Sequence, residues 1–360
     1  MKTSTLMSIV RVRVLAKPAP IAVGFELTHL CNLNCSYCDR HTRLPNEMTL
    51  EQILAALQGF QELGMREISL DGGEALAHPH IEEIVDWLAE RKIVIRLNTN
   101  GILVRRKANL VRKMQKLKIS LDGPPAIHDA LRGKRSFEWA LDAVAVANAL
   151  SVPVELTCTL GQHNAHTVNE VIAIAESVRA KIIFQPVRPS LFQEHMGPAA
   201  YLALQPSEAA AVFAEIESHK RAGRAVLNHW ASLRHFTKYP EDRSLPCAAG
   251  WINVTLDPEG CLFHCGQVSR ADKSNNVVTL GVKAAFERLR RTGCSQCWCA
   301  RVVEENYAWG GRFDRFVAPP RTPVAWANRG ISKKKVVPAT AELVKATFPC
   351  NSVSPSRRIA

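Results

Sequence analysis

The sequence predicts an α/β fold: a parallel sheet built from about six βα units, followed by a small cysteine-rich extension of hairpin and helix. Three observations carry this reading. Strand-like and helix-like patterns alternate between residues 21 and 186. Past Pro186 that rhythm stops, and the eleven cysteines gather in two places instead of scattering as small hydrophobes would.

Strands are expected at Ala22–Thr28, 67–70, 94–98, 117–121, 154–159 and Lys181–Pro186, with helices at 50–63, 80–91, 104–115, 137–150 and 168–179. Start signals support several helices, such as Thr49 ahead of Glu51 and Gln52, and Ser136 ahead of Glu138. Strands separated by helices of this length form successive βαβ units with right-handed crossovers. Periodicity leaves open whether the units curl into an incomplete barrel or lie as an open doubly wound sheet. Beyond them, residues 207–222 read as a helix. Residues 252–256 and 261–265 read as a hairpin joined by Asp257-Pro258-Glu259-Gly260, and 282–292 as a short basic helix leading to Cys294-Ser-Gln-Cys297-Trp-Cys299. This stretch is too short and polar for a large core, and small modules usually remedy that with cysteine-bound metal. No internal repeat is present.

Composition bounds the function. With 47% hydrophobic and 22% charged residues, the 360-residue chain is of ordinary globular type, which excludes disordered, collagenous and coiled-coil classes. No apolar run is long enough for a membrane span. Arg11, Arg13 and Lys17 run through and just after the first apolar stretch, unlike a secretory signal, so a soluble cytoplasmic protein is expected. The net charge of +13 is concentrated in Pro319–Ala360, where eight basic residues face the single acid Glu342. A solvated, partly disordered tail is the expected reading there, with a nucleic-acid or acidic-partner patch as the less favoured one.

An odd number of cysteines without an export signal argues for metal binding or catalysis rather than disulfides. Cys31-x3-Cys35-x2-Cys38 falls directly after the first strand, at the end where parallel α/β folds carry their active sites. Structural zinc takes four protein ligands, whereas three thiolates on a 4Fe–4S cluster leave one iron open to a substrate. The spacing favours the cluster and leaves zinc as the alternative.

This cysteine loop, Asp71-Gly72-Gly73-Glu74 after the second strand, Asn98-Thr99-Asn100-Gly101 after the third and Ser120-Leu121-Asp122-Gly123-Pro124 after the fourth together resemble the radical S-adenosylmethionine (SAM) superfamily. The resemblance covers residues 20–190, about half of the chain. It implies a partial (β/α)6 barrel in which Cys31, Cys35 and Cys38 hold a 4Fe–4S cluster and the open iron binds SAM. One electron then cleaves SAM to a 5′-deoxyadenosyl radical that abstracts a substrate hydrogen. Tyr37, before the third cysteine, would pack near the adenine. Gly72, Gly73 and Glu74 match the family's GGE motif, which receives the SAM ammonium; Ala75 replaces the proline usual after it. Ser120 and Arg132 would bind the SAM carboxylate, with Asn98 and Asp122 nearby and Gln185 on the adenosine side.

Cys247-x12-Gly260-x4-Cys265, followed by Cys294-x2-Cys297, resembles the auxiliary-cluster extension of the SPASM and twitch branches. It implies a second 4Fe–4S cluster held by Cys247, Cys265, Cys294 and Cys297. Cys299 is an alternative to either of the last two, and zinc is the alternative metal. Too few cysteines remain for two auxiliary clusters, so the single-cluster twitch form is expected. Cys158 reads as a buried inert thiol, with a hydrogen donor to the radical site as the other possibility; His264, Trp298, Glu304, Glu305 and Tyr307 are candidates for a substrate pocket.

The expected division is an N-terminal segment (1–20), the barrel (21–190), a helical linker (191–243), a twitch-like domain (244–318) and the tail (319–360). The expected function is radical modification of a peptide or protein. Oxidation or rearrangement of a sugar-like or cofactor-precursor molecule is the alternative, and an Fe–S protein binding nucleic acid or a partner is the alternative of a different class. Expected partners are the peptide or small-molecule substrate and an external electron donor such as flavodoxin or ferredoxin, with no membrane.

Overall fold

The computed structural model describes residues 12, 17–38, 46–187, 190–191, 195–196, 200–242, 244–245, 247–267, 270–289 and 297–309. All of these fall in one compact unit, Met1–Ala318; the second unit, Pro319–Ala360, lies outside the described residues, and with it the basic tail.

Six strands follow in chain order: β1 (Ala22–Thr28), β2 (Glu67–Gly72), β3 (Val94–Thr99), β4 (Lys116–Ser120), β5 (Val154–Leu160) and β6 (Lys181–Pro186). Each pairs in parallel with the next. A two-stranded pair, β7 (Ser190–Leu191) and β8 (His195–Met196), comes after them. The hairpin β9 (Asn253–Leu256) and β10 (Leu262–Phe263) returns to the main sheet, giving the order β10-β9-β1-β2-β3-β4-β5-β6. The sheet does not close on itself, which makes it the partial barrel rather than a full one. The open edge at β6 is covered: Ile182 exchanges backbone hydrogen bonds with Ala225 and Leu227, and the Asn228 carboxamide bonds both backbone groups of Phe184.

The strands are two-faced. On β5, Leu156, Cys158 and Leu160 face the apolar core under the helices, whereas Glu155, Thr157 and Thr159 face the lumen. Leu117 and Ile119 alternate with Lys118 and Ser120 on β4, as do Ile182 and Phe184 with Ile183 and Gln185 on β6. This period of two sends most polar groups to one side of these strands, so the barrel has an apolar coat and a largely polar lining.

The helix Leu50–Glu62 starts where expected, with Thr49 and Gln52 forming a capping box. Ser136 is not the cap of its helix but the first helical residue; the Asp129 carboxylate accepts from Arg135 N, Phe137 N and Ser136 Oγ and does the capping instead. The stretch 104–115 is helical only over Ala108–Val111. Four short helices were not anticipated: Pro125–Arg132, Trp230–Phe236, Val277–Leu280 and Ala300–Trp309.

The hairpin departs most from expectation. All four residues of β9 are buried, and Ala22 to Phe25 pair with Asn253 to Leu256 in parallel. The segment finds its core by joining the barrel sheet next to β1.

Candidate active site

The C-terminal ends of the strands surround a cavity of about 440 Å3, within the range of about 300–1,000 Å3 usual for small-ligand sites. Cys31, Cys35 and Cys38 all stand on its wall and are half-buried. Their loop is held by its backbone. Glu47 accepts from Thr28 Oγ1 (2.7 Å) and His29 N (2.5 Å), Ser36 N donates to Leu131 O (2.9 Å), and the Asn32 and Asn100 carboxamides meet at 2.7 Å.

Gly72 and Gly73 explain why the loop sits so close to β2. Gly73 N donates to Thr28 O and Glu74 N to Leu30 O, at 2.8 and 2.7 Å. A Cβ on Gly73 would lie 2.1 Å from Leu30 O, and one on Gly72 (φ +126°) 2.5 Å from Thr28 O. The glycines are thus required by the approach of the cysteine loop itself, in addition to lining the cavity.

Glu74 turns the other way. Its carboxylate accepts from Thr99 Oγ1, Asn100 N and Leu76 N, and it is not on the cavity wall. It fixes the Asn98–Gly101 corner to the GGE turn. Burial pushes its pKa up to about 7, against the pull of those donors. Ala75, in the place of the usual proline, begins a short 3-10 turn that Glu74 caps.

Asp122 is the hub of the opposite wall. Its Oδ2 accepts from Arg132 Nε (2.7 Å) and Tyr37 Oη (3.0 Å), and its Oδ1 from Thr159 N (3.0 Å). Burial acts to raise its pKa, but the Arg132 guanidinium and these donors outweigh it and hold the carboxyl below its usual range. Arg132 lies over the Tyr37 ring, 5.5 Å from its centroid. His128, buried to near pH 4 behaviour by desolvation and by Arg132, accepts from Asp122 N as a neutral imidazole. Asp122 therefore acts from beneath the wall, orienting Arg132 and Tyr37 toward the cysteines. Burial raises the pKa of Cys31, and that of Cys35 to about 11, with Arg132 opposing it in both cases. A metal that replaces those protons would find Arg132 favouring the thiolates.

Ser120, Asn98 and Gln185 all reach the cavity. Asn98 Nδ2 donates to Asp71 at 3.1 Å, leaving its buried Oδ1 without a hydrogen-bond partner. Gln185 is committed at both ends: Nε2 donates to Thr159 Oγ1 (3.1 Å), and Oε1 accepts from Ala300 N (2.9 Å), next to Cys299.

The second cysteine group is distributed. Cys265 feels both Cys247 and Cys299, and burial with these neighbours pushes its thiol up to about 12. Cys299 stands on the wall of the same cavity as Cys31. Cys297 is 8% exposed and belongs to the apolar core. Its carbonyl takes a 2.6 Å bond from His235 Nε2, and the adjacent Trp298 stacks on His235 at 4.4 Å. Cys294 lies outside the described residues.

Cys158 is fully buried on the outer face of β5, away from the cavity wall. Trp298, Glu304, Glu305, Tyr307 and His264 are likewise absent from that wall, whereas Arg301 is on it. Glu26, Lys118, Glu155 and Thr157 are further lumen residues that the motif search passed over. The alternation of charged and apolar residues along β1, β4 and β5 would have found them, because a parallel strand buried on both faces by apolar layers reads as a continuous hydrophobic run. Lys118 is neutralised in place by Glu155 at 3.3 Å.

The residues present fit a cluster and SAM in kind, while among the described residues no three His, Cys, Asp or Glu side chains are gathered closely enough to hold a metal ion. Three thiols share one wall, a glycine cradle admits no side chain, and two buried acceptors or donors on the wall, Asn98 Oδ1 and His163 Nδ1, have no hydrogen-bond partner.

Comparisons with known proteins agree. Residues 25–176 match the radical SAM superfamily. The chain is 27% identical over 355 residues to PqqA peptide cyclase of Streptomyces rochei, covering 95% of this chain and 92% of that protein. It is 23% identical over 270 residues to the antilisterial bacteriocin subtilosin biosynthesis protein AlbA of Bacillus subtilis (strain 168), covering 72% of this chain but only 58% of AlbA. Identity to mycofactocin maturase MftC of Mycobacterium ulcerans (strain Agy99) is 27%, over 69% of this chain and 68% of that one. Among solved structures, anSMEcpe with bound AdoMet superposes with a TM-score of 0.61 at 19% identity, over 74% of this chain and 80% of that one. Streptococcus suis SuiB bound to S-adenosylmethionine gives 0.58 at 13% identity, over 71% and 63%. At these identities the structural likeness is one of fold.

The fold and the cavity define a partial-barrel protein with a thiol-walled ligand site. The chain carries a radical SAM domain over residues 25–176. A radical SAM domain implies a 4Fe–4S cluster and SAM. No helix among the described residues is long and apolar enough to cross a membrane.

Proposed function

We propose that the protein is a radical SAM maturase that modifies a peptide. The observation that carries this reading is the single cavity shared by the Cys31, Cys35 and Cys38 wall and by Cys299 of the extension. The peptide-directed names of PqqA peptide cyclase and AlbA support the choice of substrate class.

Cys31, Cys35 and Cys38 would hold the SAM-binding cluster, and Gly72, Gly73, Asn98, Ser120 and Arg132 would hold SAM, with Tyr37 beside its adenine. When bound, cluster and SAM supply reductive sulfonium cleavage and hydrogen-atom abstraction. The chain's own groups do the rest. Asp122 fixes the Arg132 guanidinium by a charge-assisted bond, and Glu74 keeps the Asn98–Gly101 corner in register with the GGE turn. The apolar coat around the lumen keeps bulk water from the reacting carbon.

A second, auxiliary 4Fe–4S cluster would be held by Cys247, Cys265, Cys294 and Cys299, with Cys297 left in the apolar core. The influence of both Cys247 and Cys299 on Cys265 favours Cys299 as the third ligand. The twitch-like region then begins near residue 244 and is continuous with the barrel through β9. An external one-electron donor of the flavodoxin or ferredoxin kind completes the partner set.

The test is to incubate anaerobically reconstituted protein with SAM, dithionite and candidate precursor peptides, including any encoded beside its gene. Faster 5′-deoxyadenosine formation with a mass change in the peptide is expected. An unchanged peptide, with turnover instead on a sugar-like or cofactor-precursor molecule, would overturn the peptide reading.

A further inference from the structure

Arg301 is the cavity cation that the reading above leaves without a task. It follows Cys299 by two residues, in the first turn of the helix Ala300–Trp309, and reaches the cavity wall together with Cys299 and Gly266, the neighbour of Cys265. Its guanidinium is fixed from two sides. Nη1 donates to Glu305 Oε1 at 3.2 Å, one helical turn on, and Glu305 is itself held by Asn253 Nδ2 at 3.3 Å. Nη2 lies over Gly24 of β1, 3.1 Å from where a Cβ would stand, so any larger residue at 24 would crowd it.

Each cation on this wall has a carboxylate partner, but those of Arg132 (Asp122, 2.7 Å) and Lys118 (Glu155, 3.3 Å) lie within the barrel, whereas that of Arg301 (Glu305, 3.2 Å) lies on its own helix. Arg301 stands on the extension's side. Its guanidinium, charged at any working pH, shares the cavity wall with Cys299 and with Gly266 beside Cys265.

A cubane held by four thiolates is a net anion, and one-electron reduction adds a further negative charge. A fixed cation in a partly desolvated cavity favours the reduced state, because the same charge is screened less there than in water. Outer groups of this kind tune a metal centre without touching it.

We propose that Arg301 is a positioning residue that compensates the charge of the auxiliary cluster and raises its reduction potential. The proposal rests on the auxiliary-cluster reading given above, and the experiment separates the two. In full-length protein carrying Cys31→Ala, Cys35→Ala and Cys38→Ala, only the auxiliary cluster can be reconstituted. Its midpoint potential is then followed by electron paramagnetic resonance with Arg301 intact, with Arg301→Gln and with Arg301→Lys. All three are expected to bind about four irons per chain. The Gln variant should move to a more negative midpoint, and the Lys variant, which restores the charge, should return toward the parent. A purely packing role would lower iron content in both variants without separating Gln from Lys, and would overturn the proposal. Identical midpoints in all three at full iron content would overturn it too, while leaving the auxiliary cluster in place. Failure of the parent triple variant to bind iron would remove the auxiliary-cluster reading and this inference with it.

Discussion

The two cysteine groups are built in opposite ways. Cys31, Cys35 and Cys38 lie within eight residues of one loop, clamped by backbone bonds to the Gly72-Gly73 turn and by Glu47. Cys247, Cys265 and Cys299 come from three separate segments, of which β9 is tied to the barrel by pairing with β1, and Ala300, next to Cys299, by its bond to Gln185 at the end of β6. The first set is pre-organised by local geometry. The second must close long loops before its thiols meet, so metal binding proposed there would be coupled to folding of the extension. A local site tolerates loss of the distant one, whereas the distant one depends on the barrel.

The largest effect expected from that contrast is at the first group. Cys31→Ala should reduce 5′-deoxyadenosine formation to background in a chromatographic assay with dithionite, while irons of the second group remain. Next, Cys299→Ser should lower iron from about eight to about four per chain and leave SAM cleavage without peptide intact, whereas Cys297→Ser should keep the higher count. The reverse pattern would exchange the two residues' roles.

Gly73→Ala sharpens the comparison at the level of packing. Its Cβ would meet Leu30 O at 2.1 Å, backbone against backbone, so the cysteine loop must shift. A stability loss of about 3 kcal/mol is expected, with lower iron at the first group alone, measured by urea denaturation and metal analysis.

The smallest effect concerns the lumen. Burial acts to raise the Glu155 pKa, and Lys118 and Lys116 outweigh it and hold it below the usual carboxylate value. A depressed folded-state pKa stabilises above the unfolded value and is lost as pH falls through the folded one. Glu155→Gln strands Lys118, whose side chain is 11% exposed, and should cost about 3 kcal/mol at pH 7. The gap to the parent chain should narrow as the pH of the urea titration falls from 5 toward 3.

The barrel was legible because its signals are local. Ala22–Thr28 and Lys181–Pro186 are strands with the expected bounds, and the loop cysteines with the turns that follow β2, β3 and β4 converge on one cavity. What escaped depends on contacts between distant segments. Gln185, expected at the adenosine, spends its carboxamide on Thr159 and Ala300. Glu74, expected to face the ligand, caps its own turn and holds Thr99. The helix that carries Arg301 follows directly on the Cys-x-Cys run, with no capping residue to announce it. The hairpin looked too small for its own core because its core is the barrel's edge.

The central claim is that the three-thiol wall, with Arg132 and the GGE turn, holds a cluster that delivers one electron to SAM. The most direct measurement is chromatography of SAM products after reconstituted protein is mixed with dithionite. Methionine and 5′-deoxyadenosine in equal amounts, lost in Cys35→Ala, are the expected result. Intact SAM in protein whose first group carries a full complement of iron would contradict the claim.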